Sequence, residues 1–402
     1  MQSSRTYDIV LFGATGFTGA LTAQYLASTA GELRWALAGR NREKLEAVRN
    51  RLSYGGAERP DIVAADVTDR ASLDALAQSA RVVITTVGPY IRYGEPLVAA
   101  CAQAGTDYVD LTGEPQFVEQ MTSRYHAQAV ATGAKIVNAC GFDSIPHDLG
   151  VLFTIAALEK RLPGGSLAKT PVTIEGFVRM KGGMSGGTWQ SMLLILSELP
   201  VFSSKFESTM PGRQVKQLSN RIGYRSELGF WAVPAPTIDP EVVCRSATLL
   251  ERYGSDFRYG HYIGLRHLPQ VAGFVAGAGA LFAASKSRLA RDWLVKLRPS
   301  GAGPSDAERR RSFFRVVFLG RAGDQRVRCE VRGGDPGYGE TAKMLAESAL
   351  CLALDRARLP EQCGVIPSAA AFGDVLIERL SRAGIAFEEQ ALPSEDGDAA
   401  YA

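Results

Sequence analysis

From Tyr7 to Phe142 the chain alternates short apolar, β-branched runs with stretches in which apolar residues recur at helical spacing. The runs Asp8–Phe12, Arg34–Ala38, Asp61–Ala65, Arg81–Val87, Tyr108–Leu111 and Lys135–Ala139 read as strands. Gly16–Ala27, Arg42–Leu52, Ser72–Gln78, Glu95–Ala104 and Gln116–Ala131 read as the helices between them. In Ser72–Gln78 the residues Leu73, Leu76 and Ala77 fall at i, i+3 and i+4, one face of a helix. Strands joined by single helices require right-handed βαβ crossovers, so residues 1–150 are predicted to form a doubly wound parallel sheet covered on both faces.

Beyond residue 150 the rhythm changes. Pro171–Met180 reads as a strand, Lys181–Gly187 as a glycine-rich turn, and Thr188–Leu199 as an apolar helix capped by Thr188. Ser312–Gly320 and Gln325–Arg332 suit an antiparallel hairpin, and Pro336–Leu354 and Ala371–Ala383 suit helices. The expected organisation is a second α/β domain over 151–335 containing a mixed or antiparallel sheet, then C-terminal helices over 336–390 packing back on the first domain. Pro299–Ser305 is expected to be a surface loop, and the acidic stretch after Glu388, with 391–402 as its tail, to be disordered.

Composition narrows the function. With 402 residues, 46% hydrophobic and 22% charged, the chain is ordinary globular material for about two domains. A net charge of +3 gives no electrostatic footprint for nucleic acid. Six cysteines without a C-x-x-C pair and four scattered histidines predict neither a disulfide scaffold nor a metal centre. The polar start at Met1 has no apolar leader, which suits a cytoplasmic protein. Val271–Ala284 is uncharged and apolar but shorter than the roughly 20 residues of a bilayer span, so a buried helix or an interfacial segment is expected. Residues 286–332 then carry 13 Lys/Arg against 5 Asp/Glu, a basic stretch suited to an anionic membrane surface or an acidic acyl carrier protein.

The candidate chemistry lies at the strand ends. Gly13, Thr15, Gly16, Phe17, Thr18 and Gly19 form a G-x-x-G-x-x-G turn between the first strand and first helix, where backbone N–H groups can hold a pyrophosphate. Arg40, rather than an acid, follows the second strand; with Asn41 and Lys44 it suits the 2′-phosphate of NADP(H). Asp66 is placed for the adenine rim or for capping the next helix, and Gly88 and Pro89 for the nicotinamide side. Tyr90, Tyr93, Glu114, Asp143 and His147 are candidate proton donors by chemistry, each with a structural alternative: packing for the tyrosines, capping for the acids, a helix start for the histidine. None of the 13 tyrosines has a lysine four positions later, so the Tyr-x-x-x-Lys pair of short-chain dehydrogenases is absent. Gly182–Trp189 offers a glycine nest for a substrate oxygen, or simply a turn with a helix cap.

The motifs G-A-T-G-F-T-G at 13–19, A-G-R-N-R-E-K-L at 38–45, G-P-Y-I-R-Y-G-E-P-L-V at 88–98, D-L-T-G-E-P-Q-F at 110–117 and C-G-F-D-S-I-P-H-D-L-G at 140–150 resemble the saccharopine dehydrogenase-like oxidoreductases. Within that group the chain is most similar to the trans-acting enoyl reductase branch. The resemblance implies a Rossmann domain, a second α/β domain, cofactor roles for Gly13, Gly16, Gly19 and Arg40, and reduction of a C=C bond in a lipid or polyketide intermediate. A small-molecule or carrier-protein-bound acyl substrate follows from it; a homo-oligomer is compatible with the sequence, which does not fix the oligomeric state. Imine or opine-type reduction is the rival, but the strand-end loops supply only Arg92 for substrate carboxylates. A non-enzymatic NADP(H)-binding regulator at a membrane surface is the third reading.

Overall fold

The computed structural model describes residues 5–392 except 163, 183–188, 191, 194–195, 198–205, 220, 236 and 298–302. It divides into two units: Met1–Ile145, Ser305–Arg309 and Asp335–Gly384 make the first, and Pro146–Pro304, Arg310–Gly334 and Ile385–Ala402 the second.

The first unit begins β1 (Tyr7–Phe12), α1 (Phe17–Thr29), β2 (Trp35–Gly39), α2 (Arg42–Arg51), β3 (Asp61–Ala64), α3 (Arg70–Ser79) and β4 (Ala80–Thr85). It continues α4 (Tyr90–Tyr93), α5 (Glu95–Ala104), β5 (Asp107–Val109), α6 (Pro115–Thr132) and β6 (Lys135–Val137). All pairings are parallel, in the order β3-β2-β1-β4-β5-β6. The apolar runs are strands because both sheet faces are covered: Ile9, Val10, Leu11, Val83 and Ile84 have no exposed surface. Asp69 caps α3 through the N–H groups of Ala71 and Ser72, and α5 and α6 stop at Gly105 and Gly133, both left-handed. The strands β5 and β6 are shorter than the apolar runs that announce them, because the backbone after Val109 and Val137 leaves the ladder to bond the Asp110 carboxylate.

α7 (Ile145–Glu159) leads into the second unit. There follow β7 (Pro171–Lys181), β8 (Glu207–Met210), β9 (Arg213–Gln217), β10 (Gly223–Arg225), β11 (Phe230–Pro234), α8 (Asp239–Leu249), β12 (Asp256–Leu265), α9 (Leu268–Lys286), α10 (Arg288–Lys296), β13 (Phe313–Ala322) and β14 (Gln325–Gly333). The sheet is mixed: β12 runs parallel to β7 and β9, whereas β13 is antiparallel to β7 and β14. One face packs Phe177 on Tyr262, ring centroids 5.2 Å apart, with Phe230 and Val317 beside them. Of the two alternatives for 271–284, the buried helix is overturned: in α9 only Val271 and Ser285 are buried. The predicted helix 188–199 with its Thr188 cap, the glycine nest at 182–189, the loop 299–305 and the tail 391–402 lie wholly or partly outside the described residues.

At Asp335 the chain re-enters the first unit with α11 (Gly339–Leu354), β15 (Gly364–Val365) and α12 (Ser368–Arg382). α11 lies against α1 and β4, and Tyr25 of α1 donates to Glu347 at 2.7 Å. β15 extends the parallel sheet beside β6, a seventh strand contributed from far along the chain. The chain ends in the second unit with β16 (Ala386–Gln390), antiparallel to β14. This corrects the expectation of disorder for Glu389 and Gln390. The acids there have basic partners, Glu388 on Arg332 and Glu389 on Arg161, and Phe387 meets Phe153 edge-on.

Candidate active site

β1 ends in the middle of its sheet with β2 on one side and β4 on the other, the point where strand order reverses and ligands bind in open α/β sheets. The three glycines of the following turn do three different jobs. Gly13 sits at φ 96°, where a Cβ would lie 2.7 Å from Thr86 Oγ1 and 2.8 Å from Val87 Cγ2. At Gly19 a Cβ would run into the Gly13 carbonyl oxygen, so the glycine lets α1 pack directly on the turn. Thr86 locks the same oxygen by donating to it at 3.0 Å. Gly16 is different, since a Cβ there would touch only the Gly13 oxygen at an ordinary 3.5 Å. The fold does not need glycine at 16; what its absence of a side chain preserves is an exposed backbone at the helix mouth. Gly16, the N-cap of α1, has no side chain to cap the helix, so its first-turn N–H groups lie at a mouth bordered by the exposed Thr15 and Gly16. The Phe17 ring turns away and meets Tyr338 edge-on at 5.0 Å, leaving its backbone as the contribution to the cradle. These features fit a dinucleotide pyrophosphate.

Arg40 follows β2 and is exposed. Beside it, hydrogen bonds from the Thr68 N–H and hydroxyl, with the Arg40 charge, hold the Asp66 carboxyl below its ordinary range. Asp66 therefore closes a turn on Thr68, while the cap of α3 is Asp69. Asn41 accepts from the Lys44 N–H at 2.9 Å, so its carbonyl oxygen is committed to capping α2. Lys44 is exposed in the first turn of that helix, and Arg40 and Lys44 are the cations available to a phosphate here.

The loops after β4, β5 and β6 are tied to one another. Gly88 is exposed and Pro89 half-buried. Glu114, buried, accepts from the N–H groups of Tyr90 at 2.9 Å and Ile91 at 2.7 Å. It thus caps α4, which precedes it, and not the helix that follows. The Tyr90 hydroxyl donates to the Thr85 carbonyl at 3.1 Å and accepts from the Leu111 N–H at 3.2 Å. The residue is 6% exposed and its phenol is raised well above the usual range, first by burial and then by Asp110, so Tyr90 stands as a pillar of the loop. Tyr93 is 41% exposed, and Asp143 is exposed with its carboxylate against Gly113.

Asp110 is the residue that sequence reasoning missed. Its carboxylate accepts from the Thr112 and Ala139 N–H groups, the Tyr108 hydroxyl and the Asn138 amide, at 2.7 to 3.0 Å. Burial pushes it up to about 6. It also holds Ala139 at φ 58°, a left-handed conformation that a non-glycine residue adopts only when its surroundings impose it. An acid in a D-L-T-G-E-P loop signals turn chemistry in a sequence; nothing local announces that four donors converge on it.

Residues 9–137 match the saccharopine dehydrogenase NADP binding domain. A trans-acting enoyl reductase of Mycobacterium ulcerans is 38% identical across 96% of this chain and 98% of its own length. One of Mycobacterium tuberculosis is 39% identical across 95% and 97%. The chain belongs to the trans-acting enoyl reductase branch of the saccharopine dehydrogenase-like proteins. A second protein of M. tuberculosis, provisionally given the same name, reaches 41% identity over 97% of this chain and 99% of its own. The fold is shared with apo saccharopine dehydrogenase (L-Glu forming) of Saccharomyces cerevisiae, with a TM-score of 0.56 at 14% identity over 96% of this chain and 100% of that one. The first unit of this enoyl reductase relative is accordingly an NADP-binding domain.

The remaining candidate, His147, lies in the second unit. It is buried in the first turn of α7, with Nδ1 2.8 Å from Asp239 Oδ1 on α8. His261 of β12 points Nε2 at the other carboxylate oxygen, 3.6 Å away, and its Nδ1 is 3.1 Å from the Tyr259 hydroxyl. Burial pushes His261 down to about 4, so it is neutral at pH 7. Burial also works to raise the Asp239 carboxyl, but His147 and then His261 hold it below its ordinary range. The three donor groups lie within 4.8 Å of one another, a cluster that positions 147, 239 and 261 do not disclose in sequence. Two ligands of one tetrahedral zinc sit roughly 3.3 Å apart. The 2.8 Å between His147 Nδ1 and Asp239 Oδ1 is an ion-pair distance, shorter than that ligand spacing. The cluster ties α7 and α8 to β12 of the sheet.

Proposed function

We propose that this protein is an NADPH-dependent reductase of a carbon–carbon double bond in an acyl chain carried as a thioester on a lipid- or polyketide-type intermediate. The observation that carries this reading is identity near 40% over almost the full length of chains named trans-acting enoyl reductase. NADPH, when bound, supplies the hydride. The protein contributes binding and order. Gly13, Gly16, Gly19 and the uncapped start of α1 receive the pyrophosphate, and Arg40 with Lys44 receives the 2′-phosphate. Glu114 and Asp110 hold the strand-end loops in one arrangement. Tyr93 and Asp143 are the exposed acids on those loops from which the substrate carbon can take its proton.

The test is a panel of α,β-unsaturated acyl thioesters, on coenzyme A and on an acyl carrier protein, with loss of NADPH absorbance as the readout. Turnover on the unsaturated thioesters and none on keto acid plus amine is expected; the reverse pattern overturns the reading in favour of imine reduction. A bidentate phosphate contact at Arg40 is worth about 1.5–3 kcal/mol. NADPH should therefore bind roughly 10- to 150-fold more tightly than NADH, with most of that preference lost in Arg40→Ala. Tyr93→Phe and Asp143→Asn should separate the donors, since the true one lowers turnover about 100-fold or more without weakening NADPH binding.

A further inference from the structure

Helix α9 has almost nothing of the described chain to lie against. Only Val271 and Ser285 are buried, and a Cβ at Gly273, Gly277 or Gly279 would meet no atom within 4 Å. From Leu268 to Ser285 there is no charged residue. Such a helix has no i,i+4 ion pairs, three glycines of poor helix propensity and only a narrow face, Val271, Phe274, Leu281 and Ser285, against the described chain, so water alone does little to sustain it. Its ends are nevertheless set: His267 and Gln270 form a reciprocal capping box, and Ser287, the last residue of the turn, caps α10. On α10, Leu289, Trp293 and Leu297 follow one another at i, i+4 and i+8 and are 84%, 62% and 53% exposed. Arg288, Arg291 and Lys296 flank them. The Leu294 carbonyl, on another side of the helix, accepts the Trp189 indole N–H at 2.7 Å.

We propose that α9 and α10 form a membrane anchor that docks the protein on an anionic lipid bilayer. The apolar length of α9 enters the acyl boundary, Trp293 sits at headgroup level, and the arginines and lysines of α10 meet lipid phosphates. By length and composition α9 could cross a bilayer. Chain connectivity forbids it. β12, before α9, and β13, after α10, both pair with β7 in one sheet, so the excursion leaves and returns on the same side. On the way back to β13 the described helices are α10, nine residues and about 14 Å long, and the five residues Asp306–Arg310, neither long enough for a returning helical span. The helices therefore lie in the interface plane.

The experiment is co-sedimentation of the full chain with vesicles of phosphatidylcholine alone or mixed with phosphatidylglycerol, alongside light scattering without lipid. Binding to the mixed vesicles, roughly tenfold or more tighter than to phosphatidylcholine, is expected, with a blue shift of tryptophan emission. Leu289→Glu with Trp293→Glu should weaken it by more than about tenfold at an unchanged melting curve, and Trp293→Phe should retain it. Should the double variant not fold, Arg288→Gln with Arg291→Gln serves instead, weakening binding to the anionic vesicles alone. No binding to either vesicle, or binding indifferent to these substitutions, overturns the proposal. So does a lipid-free dimer that Val275→Asp dissociates, since the exposed face would then belong to a second copy.

Discussion

Two glycines three positions apart make opposite predictions. Gly19→Ala drives a methyl into the Gly13 carbonyl and toward Thr86, an overpacking that should cost about 1–3 kcal/mol in a denaturant melt and weaken NADPH with it. Gly16→Ala adds a methyl at ordinary contact distance and should leave the melt within about 0.5 kcal/mol of wild type while still lowering NADPH affinity. Equal stability losses in the two would mean that the turn is only a turn. Asp110 gives a pH test. Its folded value near 6 lies above the ordinary 3.9 of an unfolded aspartate, so between those values the native chain holds a proton that the unfolded chain has released. The group favours the native state most below about pH 4, and that contribution, on the order of 3 kcal/mol, is lost as pH rises through 6. Unfolding free energy of wild type should thus fall relative to Asp110→Asn from pH 4 to 7. A difference that stays flat with pH refutes the shift.

Among the elements, α7, α8 and β12 meet at one buried carboxylate. Removing it in Asp239→Ala takes the buried carboxylate from both imidazoles, so a loss of about 3–5 kcal/mol in unfolding free energy is expected. Chelators should leave the wild-type melting temperature unchanged; a drop would assign the cluster to a metal after all. How legible each element was in sequence depends on what makes it form. β1, β2 and β4 were plain, because strands buried on both faces have to be apolar throughout. β15 was hidden: two residues carry no periodicity, and Gly364–Val365 is a strand only because β6 offers an edge. β16 was misread from its acids, which are neutralised by Arg161 and Arg332, residues that nothing local places nearby. For α9 the sequence left a buried helix and an interfacial segment both open, since composition reports that a segment is apolar and not whether anything covers it.

For the molecule as a whole, the N-terminal alternation suggests a self-contained domain, and the chain path denies it. The face of the first sheet over β1 and β4 is covered by α11, whose Met344, Leu345 and Leu350 are fully buried. Each such side chain is worth about 1.5–3 kcal/mol of burial. A fragment of residues 1–150 should therefore show helical far-ultraviolet dichroism without fixed near-ultraviolet signals, and should bind a hydrophobic dye. A sharp, cooperative melt from that fragment would refute the dependence. The same path bears on synthesis. The cofactor-binding unit is interrupted after Ile145 and its last strand begins at Gly364. At roughly 5–20 residues per second, a ribosome needs on the order of 10–45 s to deliver the missing piece. During that interval the nascent sheet stands with an open edge and a bare face, which makes this a chain whose yield should depend on chaperones that shelter half-built domains.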